Sequence, residues 1–396
     1  MTEPPLPGGA TATDGPLTGV RVLELAGIGP GPFAAMLLAD LGADVVRVDR
    51  PGGREPGLGP GPERDLTHRN KRSVLVDLKS PGGRDRVLAL VARADLLVEG
   101  YRPGVAERLG VGPADCRARN ARLVYGRMTG WGQRGPLAPR AGHDLTYLAV
   151  TGALGTIGRP DDAPAPPANL LGDYAGGSLY LVVGLLAALH HARATGVGQV
   201  VDAAIVDGAA HLTTLVHGLL AAGHWQDRRG ANLLDGGCPF YGCYRTSDGG
   251  YMAVGALERR FYDEFTALLD LGPAAALRDD PAHWDALRAA VADRFLTRTR
   301  AQWTEVFDGS DACVAPVLSL REAPAHPHLV ARGTFATRDG VPQPAPAPRF
   351  SVTPGTLRRG PVRPGADTAE VARDWDVPDL VAAPSDHLPD HLPEGR

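Results

Sequence analysis

His143 stands directly before Asp144, Asp173 lies just ahead of the pair Gly176-Gly177, and Glu258 falls between an apolar run and an amphipathic stretch. An imidazole with carboxylates is the equipment of proton transfer, because each group can hold or release a proton near neutral pH once its surroundings tune it. A loop histidine entering a helix meets the positive end of the helix dipole, which favours the neutral imidazole that a base requires. Asp144 reads as the cap of a helix starting at Leu145, and its amide, exposed at the helix start, is the kind of donor that stabilises a developing oxyanion. Plainer readings stand beside these. Asp173 suits an N-terminal cap, Glu258 suits a first-turn acid, and a single histidine is commonly a satisfied structural residue.

These residues need elements to hold them. Val20 to Leu25 reads as a buried strand, the turn Gly27-Ile28-Gly29-Pro30-Gly31-Pro32 follows, and Phe33, Met36, Leu37 and Leu41 have helical spacing. Asp44 to Asp49 returns as a second strand, completing a βαβ unit. Ser73 to Leu78, Ala94 to Glu99 and Ala121 to Arg127 read as further strands, with a helix over Gly82 to Arg93. Helices are expected over Gly142 to Leu154, Gly176 to Arg193 and Val206 to Leu220, and a strand over Val200 to Ala204. The helix from Gly176 is apolar nearly all round, so it is expected to be buried in the fold or against a partner. Beyond the polar, Gly-containing stretch from Gln226 to Cys238, Gly250 to Val254 reads as a strand and Phe261 to Leu271 as a helix. Trp284 to Phe307 reads as two helical stretches, and from Pro342 the Pro-rich chain reads as an extended return.

The fold class is therefore α/β, a Rossmann-like parallel sheet in a large domain with a smaller α+β domain. The boundaries are a disordered tail over 1–16, the large domain with linking helices over 17–225, the small domain over 226–330, a return to the large domain over 331–377, and a second tail over 378–396. The Gly27 turn invites a dinucleotide-binding reading, with Asp49 about where a ribose-binding acid would sit. Pro32 stands where a third glycine belongs, however, and two prolines remove amides that would hold a pyrophosphate. A nicotinamide oxidoreductase is the weaker reading.

Composition narrows the function classes. With 396 residues, 43% hydrophobic, the chain is long enough for two or more cores at roughly 100 to 200 residues each. A net charge of −4 offers no basic excess for nucleic acid. The unbroken apolar stretch Leu179 to Leu189 is shorter than the ~18 residues of a bilayer span, and the N-terminus lacks the pattern of a signal peptide, so no membrane and a cytoplasmic setting are expected. Cys116, Cys238, Cys243 and Cys313 have neither CxxC spacing nor a histidine-rich neighbourhood, so they read as reduced packing residues with no metal site.

Four segments in order carry a family resemblance: Leu17-Thr18-Gly19-Val20-Arg21-Val22-Leu23-Glu24; Gly42 to Asp49 with Arg69-Asn70-Lys71-Arg72-Ser73; Gly142-His143-Asp144; and Gly172-Asp173 ahead of Gly176-Gly177. The chain resembles the class III coenzyme A transferase superfamily, and within it the α-methylacyl-CoA racemases of bacteria, from about Leu17 to Trp375. The resemblance implies an interlocked homodimer acting on acyl-CoA thioesters, with no metal and no cofactor beyond the coenzyme A of the substrate. It places His143 and Asp173 on the two catalytic positions and Glu258 on a glutamate that orients the histidine. It also implies a coenzyme A footprint of Arg50, Val76-Asp77-Leu78-Lys79, Gly100-Tyr101-Arg102 and Arg108, with Gly142, Asp144 and Tyr147 near the thioester. Inverting a carbon α to a thioester needs a base on one face and an acid on the other, which two such groups supply. The rival reading within the superfamily is a coenzyme A transferase, in which Asp173 would attack the thioester and form a covalent intermediate.

Overall fold

The computed structural model describes residues 15–52 and 61–381. Of the tails expected over 1–16 and 378–396, residues 1–14 and 382–396 lie outside the described residues. The chain divides into two units. One runs up to Tyr147, over Asn169–Ala209 and from Gly333 on; the other comprises Leu148–Ala168 and Ala210–Arg332. The division thus falls after Ala209 rather than after residue 225, and residues 148–168 belong to the second unit.

The first unit is built on β1 (Arg21–Leu25), α1 (Pro30–Asp40), β2 (Asp44–Asp49), β3 (Arg72–Leu75), α2 (Gly83–Val91), β4 (Leu96–Glu99), α3 (Val105–Arg108), α4 (Pro113–Arg119) and β5 (Val124–Thr129). It continues through the start of α5 (Asp144–Val150), a π-helical stretch Leu170–Leu179, α6 (Tyr180–Thr195), β6 (Val200–Ala204) and the start of α7 (Ile205–Leu212). Six parallel strands lie in the order β3-β2-β1-β4-β5-β6. Val22, Leu23, Leu96, Leu97 and Val98 are buried, as strands covered on both faces require. One apolar layer joins Leu23 and Leu97 to α2 and Trp375; the other joins Val22 and Val98 to α1 and α6. The order reverses between β1 and β4, and the crevice beyond the carboxyl ends of such strands is where open α/β sheets receive ligands.

The motif Arg69 to Ser73 is a polar stitch through this sheet. Arg69 forks onto Asp40 and also donates to Gln343 and the Pro344 carbonyl. Asn70, at φ 60°, donates to Asp40 and accepts the amides of Arg358 and Arg359. Lys71, fully buried, bonds Glu24 at 2.6 Å, and burial lowers its pKa. Arg72 reaches Asp44 and Asp374, and the Ser73 hydroxyl donates to Asp49. The returning chain is more ordered than an extended segment. It forms an antiparallel hairpin, Phe335–Arg338 with Val341–Pro344, and a helix, Thr368–Asp374. Pro378–Leu380, expected in the tail, form a turn that buries Leu380 in the core.

The second unit contains α8 (Thr214–Ala221), β7 (Tyr241–Arg245), β8 (Tyr251–Gly255), α9 (Arg259–Leu269), α10 (Trp284–Phe295), α11 (Arg300–Phe307) and β9 (Val314–Pro316). The antiparallel sheet β7-β8-β9 and an aromatic core of Tyr244, Tyr262, Phe265, Phe295, Trp303 and Phe307 make it α+β. Strands β7 and β9 escape sequence reading because they are short and flanked by polar or Pro-rich chain. Among the cysteines, Cys116 and Cys238 are buried packing residues, but Cys243 and Cys313 are exposed.

Asp40 and Arg69 are both nearly excluded from solvent, so removing one partner strands a buried charge. Asp40→Ala is expected to destabilise the fold by about 3–5 kcal/mol, read as a lowered urea midpoint; a change under about 1 kcal/mol, the scale of an exposed pair, would contradict the stitch.

Candidate active site

The Asp173 carboxyl is held at the crossing of three segments. Its own segment departs from expectation: the helix does not begin near Gly176 but at Leu170, in π form, with Asn169 in the capping position. Asp173 is therefore inside the helix rather than its cap, which removes the plain reading of that residue. Glycines make the crossing possible. A Cβ on Gly29, at φ 68°, would sit 3.2 Å from Asp173 Oδ2. A Cβ on Gly172 would sit 2.3 Å from Asp144 Oδ2, closer than non-bonded atoms approach.

Asp144 also departs from expectation. It is the first residue of α5, and its side chain accepts the Asp173 amide at 2.6 Å instead of capping its own helix. The cap contacts belong to its neighbours: the His143 carbonyl accepts from the amide and hydroxyl of Thr146, and the Thr146 hydroxyl also lies 2.9 Å from the His143 amide nitrogen. This fixes the backbone that presents the His143 imidazole. The other carboxylate oxygen of Asp144, Oδ1, is buried with no hydrogen-bond partner among the described residues.

Asp173 is pushed up to about 6, first by burial and then by the Asp144 carboxylate; a hydrogen bond from Asn169 and the nearby His143 work in the opposite direction. Such a carboxyl gains and releases its proton close to neutrality. Tyr147 stands beside it. Its ring lies over Gly130 and Gly142, where any Cβ would overlap it, and meets Trp131 edge-on at 4.7 Å. Burial, then the Asp173 charge, raise its pKa, with Arg102 near enough to oppose them.

A line of neighbours leads away from this centre. Arg102 follows Tyr101, whose pKa is raised by burial and by Glu99 and opposed by the cation of Arg50. Arg50 follows β2, Asp77 to Lys79 follow β3, and Gly100 to Arg102 follow β4, so all border the carboxyl end of the sheet. Arg50, Asp77, Lys79, Gly100, Arg102 and Arg108 are exposed. Val76 points into the core, so it has only backbone to offer a ligand, and Leu78 packs partly on the same core. The strand expected to reach Leu78 stops at Leu75, because Asp77 turns the chain by accepting the amides of Lys79 and Ser80.

The first unit thus gathers His143, Asp144, Tyr147 and Asp173, with Gly142 beneath the tyrosine ring. Glu258 is carried by the second unit, exposed, directly before α9 and making no side-chain cap. The dinucleotide reading fails on geometry. Asp49 is engaged by Arg47 and Ser73, and the open side of Gly29 faces a carboxylate. Two residues missed by sequence reasoning, Gly29 and Asn169, border Asp173; the signal for Gly29 was a glycine before a helix-opening proline.

Comparison with known proteins gives consistent matches. A family model described as CoA-transferase family III matches residues 17–368. The alpha-methylacyl-CoA racemase of Mus musculus is 44% identical over 368 residues, 91% of this chain and 93% of the mouse protein. That of Homo sapiens is 43% identical over 366 residues, with the same coverage. A crystal structure of a CAIB/BAIF family protein from Brucella suis superposes with a TM-score of 0.79 at 28% identity, covering 92% of this chain and all of that one.

The raised carboxyl has a consequence for stability. A group whose folded pKa of about 6 exceeds its ordinary 3.8 opposes folding when ionised, fully above pH 6 and not at all once both states are protonated. Asp173→Asn is therefore expected to stabilise the protein at pH 8, with the gain shrinking through pH 6 and gone below about pH 4. Urea denaturation across that range checks it; a gain that is independent of pH would contradict the burial argument.

Proposed function

The chain belongs to CoA-transferase family III, and from that premise we propose that it is an acyl-CoA epimerase interconverting (2R)- and (2S)-2-methylacyl-CoA thioesters. The observation that carries this reading is the Asp173 carboxyl, tuned to about 6 and electrostatically coupled to His143. The 43–44% identity to racemases supports the same reaction. One of the pair removes the α-proton from one face, leaving an enolate; the other returns a proton to the opposite face, and the pair then re-equilibrates with water. The amide of Asp144 is the donor for the enolate oxygen. The resemblance gives Glu258 the part of orienting the catalytic histidine and supporting its charged form. This chemistry needs no metal and no organic cofactor beyond the coenzyme A of the substrate.

The thioester's anionic portion runs along Arg50, Asp77 to Lys79, Gly100 to Arg102 and Arg108, where cations and loop amides suit phosphate groups. The neighbour line from Arg50 through Tyr101, Arg102 and Tyr147 to Asp173 supports this path. Nothing in this footprint calls for nucleic acid.

Leu170–Thr195 is the one helical run among the described residues that is apolar and long enough to cross a bilayer, yet 39% of its most apolar 18-residue window is buried in the chain's own fold and the run contains Asp173. Val183 and Leu179 on it, and Leu215 on α8, are exposed. We read these as surface covered by a second copy in an interlocked homodimer, in a cytoplasmic setting that suits four unpaired cysteines. Velocity sedimentation showing an active monomer would remove the dimer.

The two-base assignment predicts opposite single-base behaviour. His143→Ala and Asp173→Ala should each nearly abolish epimerisation, while each still exchanges solvent deuterium, with retained configuration, into the epimer whose α-proton faces the surviving base. Glu258→Gln should be milder than losing His143. NMR of the recovered thioesters reads the outcome, and the same epimer preference in both variants would contradict the assignment.

A further inference from the structure

The turn between β1 and α1 forms one side of the Asp173 pocket, and two side chains from elsewhere hold it there. Gly29 adopts φ 68°, ψ −122°, a conformation suited to glycine, and its bare Cα faces the carboxyl. The two prolines that follow expose carbonyls to the interior. Ser178, fully buried one turn along the π-helix, donates 2.8 Å to the Pro30 carbonyl and lies 3.0 Å from the carbonyl of Asp173 itself. Lys71 donates 2.8 Å to the Pro32 carbonyl while paired with Glu24. Phe33 stacks on Tyr174 at 4.1 Å, closing the same seam beside Asp173. A Cβ on Gly177 would lie 3.2 Å from the Pro30 ring, a tight contact, so glycine there lets the helix seat closely against the turn.

We propose that Ser178 and Lys71 are positioning residues that clamp the Gly29–Pro32 turn as a dry wall against the Asp173 carboxyl. Neither touches the reacting atoms. Each acts through a prolyl carbonyl, and together they set how much water reaches Asp173. The proposal rests on the proton-transfer reading for its catalytic consequence, but the wall itself is a property of the fold.

The consequence has a sign. Burial is the leading influence that raises Asp173, ahead of Asp144, while Asn169 and His143 oppose it; Tyr147, backed by Arg102, is the other titratable neighbour. The turn from Gly29 to Phe33 contributes no ionisable group, so it acts by excluding water alone. Loosening it should lower the carboxyl toward its ordinary value. Because the pair must carry a single proton to react, the acid limb of kcat/KM would move to lower pH.

Ser178→Ala is the gentle test, since it deletes one hydroxyl with no added volume. It should reduce epimerisation about tenfold, the scale of one or two buried hydrogen bonds, and shift the acid limb down by about one pH unit. Lys71→Met, made together with Glu24→Gln so that no buried charge is left alone, should move the limb in the same direction. An infrared carboxyl titration of full-length protein, taken as the difference from Asp173→Asn, reads the same shift without turnover. A loss of activity with the limb and the infrared titration unmoved would mean a merely structural role and overturn the clamp. An unmodified enzyme that does not epimerise would instead overturn the proposed reaction, and the infrared shift would still decide the clamp.

Discussion

The site depends on one hydrogen bond, from the amide of Asp173 to the carboxylate of Asp144 at 2.6 Å. Between these residues the chain leaves the first unit at Leu148 and returns at Asn169, so nothing in the local sequence keeps the two ends together. The bond does so, and it requires Gly172, because any side chain there would occupy the position of the carboxylate. Its electrostatic consequence is inseparable from its geometry. Placing Asp144 beside Asp173 adds like-charge repulsion to burial, and together they bring a carboxyl into the range of an imidazole. Strain and repulsion of this kind persist only where the surroundings over-determine the arrangement.

Those surroundings are polar as much as apolar. The Arg69 to Ser73 stitch joins α1, β1, β2 and β3 to the returning chain, and it takes Asp40, Asp44 and Asp49 out of any ligand chemistry. The loops proposed to meet a ligand stand at the carboxyl ends of β2, β3 and β4, together with the β1 turn. The same strand order that puts the reversal between β1 and β4 has the cationic loops after β2 and β4 at the carboxyl end of the sheet, where open α/β sheets receive ligands.

Much of this was legible in the sequence. The strands of the sheet are near-continuous apolar runs, which buried parallel strands must be, whereas His143, Asp173 and Glu258 were singled out by the family resemblance, since their types alone also suit a cap, a first-turn acid or a structural histidine. The π-helical stretch was not legible, because Gly176-Gly177 looks like a helix start and the preceding residues carry no cap signal. Asp144 looked like a cap because Asp before an apolar run usually is one; its real acceptor role is a contact across a loop that local pattern cannot express. The motif from Arg69 to Ser73 could be recognised as a pattern, but its partners Asp40, Gln343 and Asp374 are scattered along the chain. Short strands such as β7, β9 and the Phe335–Pro344 hairpin fell below what alternation can reveal, since each has few residues and two contain proline.

The central claim is that Asp173 trades protons with carbon and does not attack the thioester. Both chemistries would use a buried aspartate, so only the fate of the α-hydrogen separates them. Incubating the unaltered protein in heavy water with a panel of 2-methylacyl-CoA thioesters, followed by mass and chiral analysis, tests this directly. The account predicts α-deuterium in both epimers and no requirement for a second acid. Absence of α-deuterium across the panel, with coenzyme A passing to an added carboxylate in an Asp173-dependent manner, would contradict it.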